Sequence, residues 1–300
     1  MLPAKARALG AVGESWLSAL PELVREVAAR WDLADLTALD GGTEAFVARA
    51  RRGDGSQAVL KLGLPGDGFA TEVDTLLRAR GNGYVQVLAH GPDLGAVLLE
   101  PLGRPLDRTG LAPSEQITTL CRLLPSAWAV PVDGGLLVDK AARLAASIES
   151  MWGALEDPAP VPVRDQALAY AERRGRSFRE DRCVVVHGDA ACANALEVLS
   201  PRTGAETGFV FVDPDGFVGD PAYDVGVALR DWCGELAASR DPGATLQAWC
   251  RLAAAAAGCG ADEVWEWAFL ERVSTGLYCL ELGAEEVGRP FLDVAATLVD

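Results

Sequence analysis

Residues 184–196, VVVHGDAACANAL, read in two halves. The first is an apolar, β-branched run of the kind that forms a short buried strand. The second starts at His187 and continues with Gly188, Asp189, four small residues and Asn194. A glycine directly after a strand predicts a sharp turn, which presents a carboxylate and, further on, a side-chain amide. His187 is one of only two histidines in the chain, the other being His90. Taken alone, the stretch fits either an ordinary strand-to-turn junction or a catalytic loop. The surrounding chain decides between them.

With 300 residues and 50% apolar composition, the chain can build a large core shared between two lobes. No run of eighteen apolar residues occurs, so no transmembrane helix is expected. The start, MLPAKARALGAVGESW, lacks the hydrophobic segment of a signal peptide. Seven scattered cysteines without a CxxC pair read as reduced thiols, and the expected location is cytoplasmic. Two histidines exclude a multi-histidine metal site. The net charge of −16 argues against a nucleic-acid-binding surface and favours a cationic ligand. The charge is unevenly placed, with fourteen acidic residues against five arginines from Asp220 to Asp300. Most of these carboxylates belong to solvated helix faces, and a few are expected to line a pocket for a polycation. Oligomeric state is left open.

Secondary-structure signals change character along the chain. Residues 14–31 repeat apolar positions at helical spacing: Trp16, Leu20, Leu23, Val27 and Trp31. LTALDGGTEAFVARARR (36–52) and QAVLKLGL (57–64) read as strands joined by Gly-rich turns. DGFATEVDTLLRAR reads as a helix started by Asp67, and YVQVLAHG and GAVLLEPL as two further strands. After PLGRPL the pattern turns helical over 112–128, 135–156 and 163–178. Strands return only at 183–187, 195–199 and 208–213, and helices follow from 220 onward. The expected class is therefore α+β, with a small antiparallel-sheet lobe over 1–100 and a mainly helical lobe over 101–300.

Four features then line up in order. DGGTEAF (40–46) is a glycine turn between strands. Lys61 lies inside the strand AVLKLGL, and Glu72 follows eleven residues later in the next helix. HGDAACAN (187–194) is the third. FVFVDPDG (209–216) is an apolar strand that delivers Asp213 and Asp215 to a turn. Phosphoryl transfer needs such parts: a cation and backbone amides for the phosphates, hard oxygen ligands for Mg2+, and a carboxylate to orient the accepting hydroxyl and take its proton. Matched to the kinase template, Lys61 contacts the phosphates and Glu72 holds Lys61. Asp189 faces the acceptor, and Asn194 and Asp213 ligate Mg2+.

HGDAACAN followed by VDPDGFVGDPAYDVG resembles the corresponding loops of the aminoglycoside phosphotransferase family, the antibiotic- and small-molecule-kinase branch of the protein-kinase-like fold. The segments GGTEAF, VLKLG, LLEPL and LRDW resemble its streptomycin 6-kinase and hydroxyurea kinase subgroup. The resemblance spans roughly residues 36–285. It implies a bilobal fold, ATP as donor with GTP not excluded, and Mg2+. It also implies phosphate contacts at Gly41, Gly42 and Thr43, base contacts near Glu100 and Leu102 made largely by backbone, and a structural role for Asp224. Three departures stand out. DGGTEAF is not the GxGxxG of protein kinases. HGD in place of HRD, with no APE-type segment, argues against a protein substrate. Positions 190–193 are unusually small.

A lone strand lysine ordinarily snorkels to solvent, and it is the company of Glu72 and of the HGD loop that assigns Lys61 a role. His187 reads as the brace of the catalytic loop and not as a base. Asp215 either approaches Mg2+ or closes its turn. Most tryptophans read as core, although Trp232 beside Asp231 can flank a substrate. For a cationic acceptor the expected carboxylates are Asp231 and Glu235, one helical turn apart, with Glu271 and Glu281 further along. The subgroup resemblance points to the 6-hydroxyl of streptomycin as acceptor. A kinase for a sugar or for hydroxyurea, and a nucleotide-binding pseudokinase, remain as alternatives.

Overall fold

Glycine- and proline-marked turns divide the first hundred residues into short strands, while long amphipathic stretches dominate the remainder, and the computed structural model follows that division. It describes residues 2–39 and 44–299. In chain order it begins with α1 (Leu2–Ala8), α2 (Ala11–Arg30), β1 (Leu33–Ala38), β2 (Ala45–Arg52), β3 (Gln57–Gly63), α3 (Asp67–Ala79), β4 (Val87–Gly91), β5 (Ala96–Leu99) and β6 (Leu102–Pro105). Helices α4 (Pro113–Ala127), α5 (Lys140–Ala154) and α6 (Val161–Ser177) come next, then β7 (Val184–Val185), β8 (Ala195–Val198), β9 (Phe209–Phe211) and β10 (Val218–Gly219). The chain ends in α7 (Pro221–Ala228), α8 (Cys233–Ala238), α9 (Pro242–Ala257), α10 (Ala261–Glu281) and α11 (Glu285–Thr297). No helix among the described residues is long and apolar enough to cross a membrane.

The chain divides into two compact units, residues 1–104 with 196–215, and residues 105–195 with 216–300. The division expected at 100/101 lies close to the first crossing. The segment 196–215, expected in the second lobe, packs within the first unit. Its attachments explain this. Tyr84 forms a parallel bridge with Phe211, Val85 N–H donates to Phe211 O, and Phe211 N–H donates to Gly83 O. The Arg202 guanidinium donates to the carbonyls of Gly81 and Tyr84 and to both carboxylate oxygens of Glu100.

In the first unit, an antiparallel sheet of order β1-β2-β3-β5-β4 is covered by α2. Strand β3 is central, so its residues are buried on both faces. Leu60 and Leu62 point to one face, where they cluster with Trp16 and Val27 of α2. The two-residue period of a strand sends Lys61 to the opposite face, beside α3. Asp67 is the first residue of α3, as its spacing predicts. A second, three-stranded sheet has the order β6-β8-β9.

The second unit is built on α10, which with α5, α6, α7 and α11 forms one apolar core including Ile148, Val163, Tyr223, Trp267, Phe269 and Leu292. At Gly226 of α7 a Cβ would stand 2.4 Å from Trp267 Cβ, so only glycine permits this approach to α10. The helix expected from residue 135 starts later, at Lys140. Asp139 caps it by accepting from Ala142 N–H, and residues 137–138 are drawn away to pair with Val218. The strand expected at 183–187 shortens to Val184–Val185, paired antiparallel with β10. Two-residue strands leave no periodic signal, which is why β10 escapes a sequence reading.

Candidate active site

In the first unit the Lys61 ammonium, buried on β3, donates to Glu72 Oε1 at 2.5 Å and to Asp213 Oδ1 at 2.7 Å. Burial opposes the charge on Lys61, but the two carboxylates outweigh it and hold the ammonium firmly protonated. Burial pushes the Glu72 carboxyl up to about 7, against the pull of Lys61. Of the two carboxylates on this ammonium, Asp213 is the exposed one, its side chain 53% exposed against 11% for Glu72. Asp213 has φ 57°, a left-handed conformation few non-glycine residues adopt, and it arises where the chain leaves β9. The Glu100 carboxylate is taken up by Arg202 and by Gln86 N–H, and Glu100 N–H donates to Gln86 O. Its carbonyl is what residue 100 can offer a base. Leu102 opens β6. Gly41, Gly42 and Thr43 lie outside the described residues.

In the second unit β7 runs into His187, and Gly188 reverses the chain with φ 90°. The backbone N–H groups of His187 and Gly188 donate to the two oxygens of Asp224, at 2.7 and 2.9 Å, and Trp128 Nε1 donates to the same carboxylate at 2.9 Å. Asp224 is fully buried in α7. Burial pushes its carboxyl up, while these donors pull it back. The helix is placed by Asp220, which caps it by accepting from Ala222 N–H and takes Trp267 Nε1 of α10 on its other oxygen. The GDPAYD stretch thus works as a bracket behind the loop, with two loop amides doing for the inward carboxylate of Asp224 what a helix N-terminus does for an anion.

His187 is buried, and its Nδ1 accepts from Asp189 N–H at 3.2 Å. The Asp189 side chain is 45% exposed, yet both its oxygens have partners. Arg230 Nη2 donates to Oδ1 at 2.7 Å and Asn194 Nδ2 to Oδ2 at 3.0 Å. Burial raises the Asp189 carboxyl, but the Arg230 charge and hydrogen bond outweigh it, with help from His187 and Asn194. The group is held below the usual carboxylate range. An ionised, accessible, oriented carboxylate is what a hydroxyl needs as proton acceptor. Asn194 closes a 3-10 turn, and with its nitrogen committed to Asp189 its amide oxygen is the atom it can offer a metal. Ala190 and Ala191 are buried under the loop, which accounts for small residues there. Burial pushes the Cys192 thiol up to about 12, so it is a packing residue.

The residues expected for the acceptor are placed differently from one another. Asp231 is beside the loop cluster and accepts from Arg230 Nε at 3.0 Å. It does not share a helix with Glu235. Helix α8 begins at Cys233, because the carbonyls of Leu229 and Arg230 are taken by the buried Arg272 guanidinium, and the same-face argument for this pair falls. Glu235 is exposed in the first turn of α8. Trp232 is turned inward, with its Nε1 donating to Ala228 O and its ring against Trp249. Glu271 is buried, accepting from Tyr223 Oη at 2.7 Å and from Arg230 Nη1 at 3.4 Å. Glu281 ends α10 and is exposed. The residue that joins Asp189, Asp231 and Glu271 is Arg230, which sequence reasoning passed over. A signal was available: it is the single cation between Asp213 and Ser239.

The profile of the aminoglycoside/hydroxyurea antibiotic resistance kinase family matches residues 30–283. The chain belongs to that family. Among curated relatives, this resistance kinase is 32% identical over 240 residues to the streptomycin 6-kinase of Streptomyces glaucescens, covering 79% of this chain and 75% of the relative. It is 30% identical to the hydroxyurea phosphotransferase of Kitasatospora aureofaciens, covering 73% of this chain and 64% of the relative. Its fold is that of aminoglycoside phosphotransferase APH(4)-Ia, solved as a thermostable mutant with ADP and hygromycin B (TM-score 0.62, 16% identity, covering 91% of this chain and 97% of that one). The choline kinase LicA from Streptococcus pneumoniae shares it as well (TM-score 0.57, 12% identity, 93% and 98%). The protein is a small-molecule O-phosphotransferase of an antibiotic-resistance family, with a protein-kinase-like fold.

Proposed function

We propose that this kinase transfers the γ-phosphate of ATP to a hydroxyl of a cationic aminoglycoside, the 6-hydroxyl of streptomycin, with Asp189 as the acceptor-side base. The observation that carries the reading is the Asp189 carboxylate, accessible, held below the usual carboxylate range and oriented from two sides. In this reading Lys61, fixed by Glu72, holds the phosphates. Asp213 and the Asn194 amide each carry an oxygen of the type Mg2+ takes, and the Asp213 carboxylate is the exposed one of the pair on Lys61. When bound, Mg2+ supplies charge neutralisation on the transferring phosphoryl group. Asp189 orients the hydroxyl and accepts its proton as the oxygen–phosphorus bond forms and ADP departs.

The choice of streptomycin rests on two streptomycin 6-kinase relatives, at 32% and 29% identity, and on the negative excess around Arg230, where three carboxylates face one guanidinium. A coupled assay of ADP release across streptomycin, other aminoglycosides, neutral sugars and hydroxyurea tests it. Streptomycin is expected to give the highest kcat/KM. The hydroxyurea relative makes hydroxyurea the competing acceptor, and turnover of it alone would replace this assignment. No turnover with any acceptor despite nucleotide binding would turn the reading into a pseudokinase.

Two variants refine the picture. Asp231→Asn is expected to raise KM for streptomycin about tenfold, the loss of one partly exposed charge contact, with KM for ATP within about twofold. Equal effects on both substrates would remove Asp231 from the acceptor pocket. Glu72→Gln is expected to lower kcat/KM for ATP by about 10–100-fold, because Lys61 loses a buried charged partner and swings toward Asp213. Steady-state kinetics at saturating acceptor read this directly.

A further inference from the structure

Arg230 is mostly buried, with its side chain 15% exposed, and it stands at the centre of a branched ion pair. Its Nη2 donates to Asp189 Oδ1 at 2.7 Å, its Nε to Asp231 Oδ1 at 3.0 Å and its Nη1 faces Glu271 Oε2 at 3.4 Å. Each arm of the guanidinium therefore has its own carboxylate, a use of the planar fork that an ammonium cannot reproduce. The base of the assembly is rigid. Glu271 is buried on α10 and takes the Tyr223 hydroxyl at 2.7 Å, and that hydroxyl is also 3.3 Å from Gly188 O, one residue before Asp189. The backbone that carries Arg230 is held independently. The fully buried Arg272 donates to Leu229 O at 2.7 Å and to Arg230 O at 3.3 Å. By contrast, the Asp189 side chain is nearly half exposed.

We propose that Arg230 is a positioning residue for phosphoryl transfer: anchored on Glu271, it fixes the orientation of the Asp189 carboxylate and couples it to Asp231. Asn194 restrains Oδ2 of Asp189, and Arg230 restrains Oδ1. Two restraints on two oxygens define the plane of the carboxylate, and each oxygen keeps a lone pair free for an acceptor hydroxyl. Without Arg230 the carboxylate rotates about its terminal torsion, which is broad and soft, and the productive orientation becomes one of several. The same guanidinium holds Asp231, so an acceptor cation seated on Asp231 is placed at a set distance from the reacting hydroxyl. The inference rests on Asp189 being the acceptor-side base, and the test separates the two.

The experiment uses the full-length enzyme with ATP, Mg2+ and its best acceptor. Arg230→Met is expected to lower kcat by about 30–100-fold, near 2–2.7 kcal/mol in the barrier at 1.36 kcal/mol per tenfold, with KM for ATP within about twofold. Arg230→Lys is expected to recover a minor part of the loss, since one ammonium cannot serve three separate carboxylates. Adding guanidinium or methylguanidinium ion at tens of millimolar is expected to restore several-fold activity to Arg230→Met, and sodium at equal ionic strength is not. Arg230→Met also strands the buried Glu271, so the double variant Arg230→Met with Glu271→Gln is measured beside it to keep a folded protein in hand. An unchanged kcat in a folded variant overturns the proposal, as does a loss that appears equally in KM for ATP or that guanidinium leaves untouched. In parallel, an active Asp189→Ala enzyme would overturn the underlying assignment of the base. An inactive Asp189→Ala with an unimpaired Arg230→Met would overturn the positioning role alone.

Discussion

Replacing Asp189 with alanine is expected to lower kcat by about 10²–10⁴-fold, the range that a positioned general base contributes, while leaving nucleotide affinity within about twofold. The two effects are expected to separate because, among the described residues, Asp189 and Lys61, the proposed phosphate-binding cation, are held by different groups. Lys61 is held by Glu72 and Asp213 in one unit, and Asp189 by Asn194, His187 and Arg230 in the other. Stability is expected to change by no more than about 1 kcal/mol, since the lost ion pair is partly exposed and Arg230 retains Asp231 and Glu271. Asp189→Asn is informative beside it. The amide keeps the volume but cannot accept a proton, so an asparagine variant as impaired as the alanine one identifies proton acceptance, and not packing, as the role. Single-turnover kinetics with calorimetric titration of a non-hydrolysable ATP analogue measures both quantities. A variant that retains wild-type turnover would leave the acceptor side without its base.

Asp224→Ala is expected to have the largest effect on stability, about 3–5 kcal/mol, as for removing one partner from a buried charged cluster. Three donors converge on its two oxygens: the amides of His187 and Gly188 and the indole of Trp128. The two backbone donors are buried, so loss of the carboxylate strands them. Asp224→Asn replaces one acceptor by a donor that faces another N–H, so it is expected to cost about 1–3 kcal/mol and not to behave as a silent isostere. Urea denaturation with an unchanged slope and a lowered midpoint would show the loss as one of stability. Both variants are expected to lose turnover as well, because the carboxylate holds the turn that presents Asp189. If Asp224→Ala unfolds within about 1 kcal/mol of the parent, the loop is braced by something else, with His187 the first candidate.

Much of the candidate site's geometry was legible because it consists of short, ordered segments whose spacing the backbone must respect. Lys61 in an apolar strand and Glu72 in the next helix are eleven residues apart, a separation that one turn and one strand-to-helix crossing satisfy. Asp189 and Asn194 are linked by a single tight loop, so their proximity is nearly a property of the chain itself. The longer helices were legible through their apolar periods, as in α2 and α3. The acceptor residues were not. Proximity in sequence suggested that Asp231, Trp232 and Glu235 share a surface, yet the buried Arg272 interrupts the helix there, Trp232 turns into the core and Glu271 becomes a buried support. Whether a carboxylate faces solvent or a buried guanidinium depends on partners forty residues away, and no local pattern reports them.

The sequence by itself determined a strand-rich first part and a helix-rich remainder, the strand and helix that carry Lys61 and Glu72, and the turn that carries Asp189 and Asn194. Each of these follows from local spacing and from the period of apolar residues. Only the tertiary structure decided that residues 196–215 join the first unit, that Asp224 braces the loop, and that Arg230 gathers Asp189, Asp231 and Glu271 onto one guanidinium. The physical reason is that burial sets the sign of these interactions. A charged side chain in water is satisfied anywhere, whereas one removed from water must meet a specific partner, and that partner is chosen by packing.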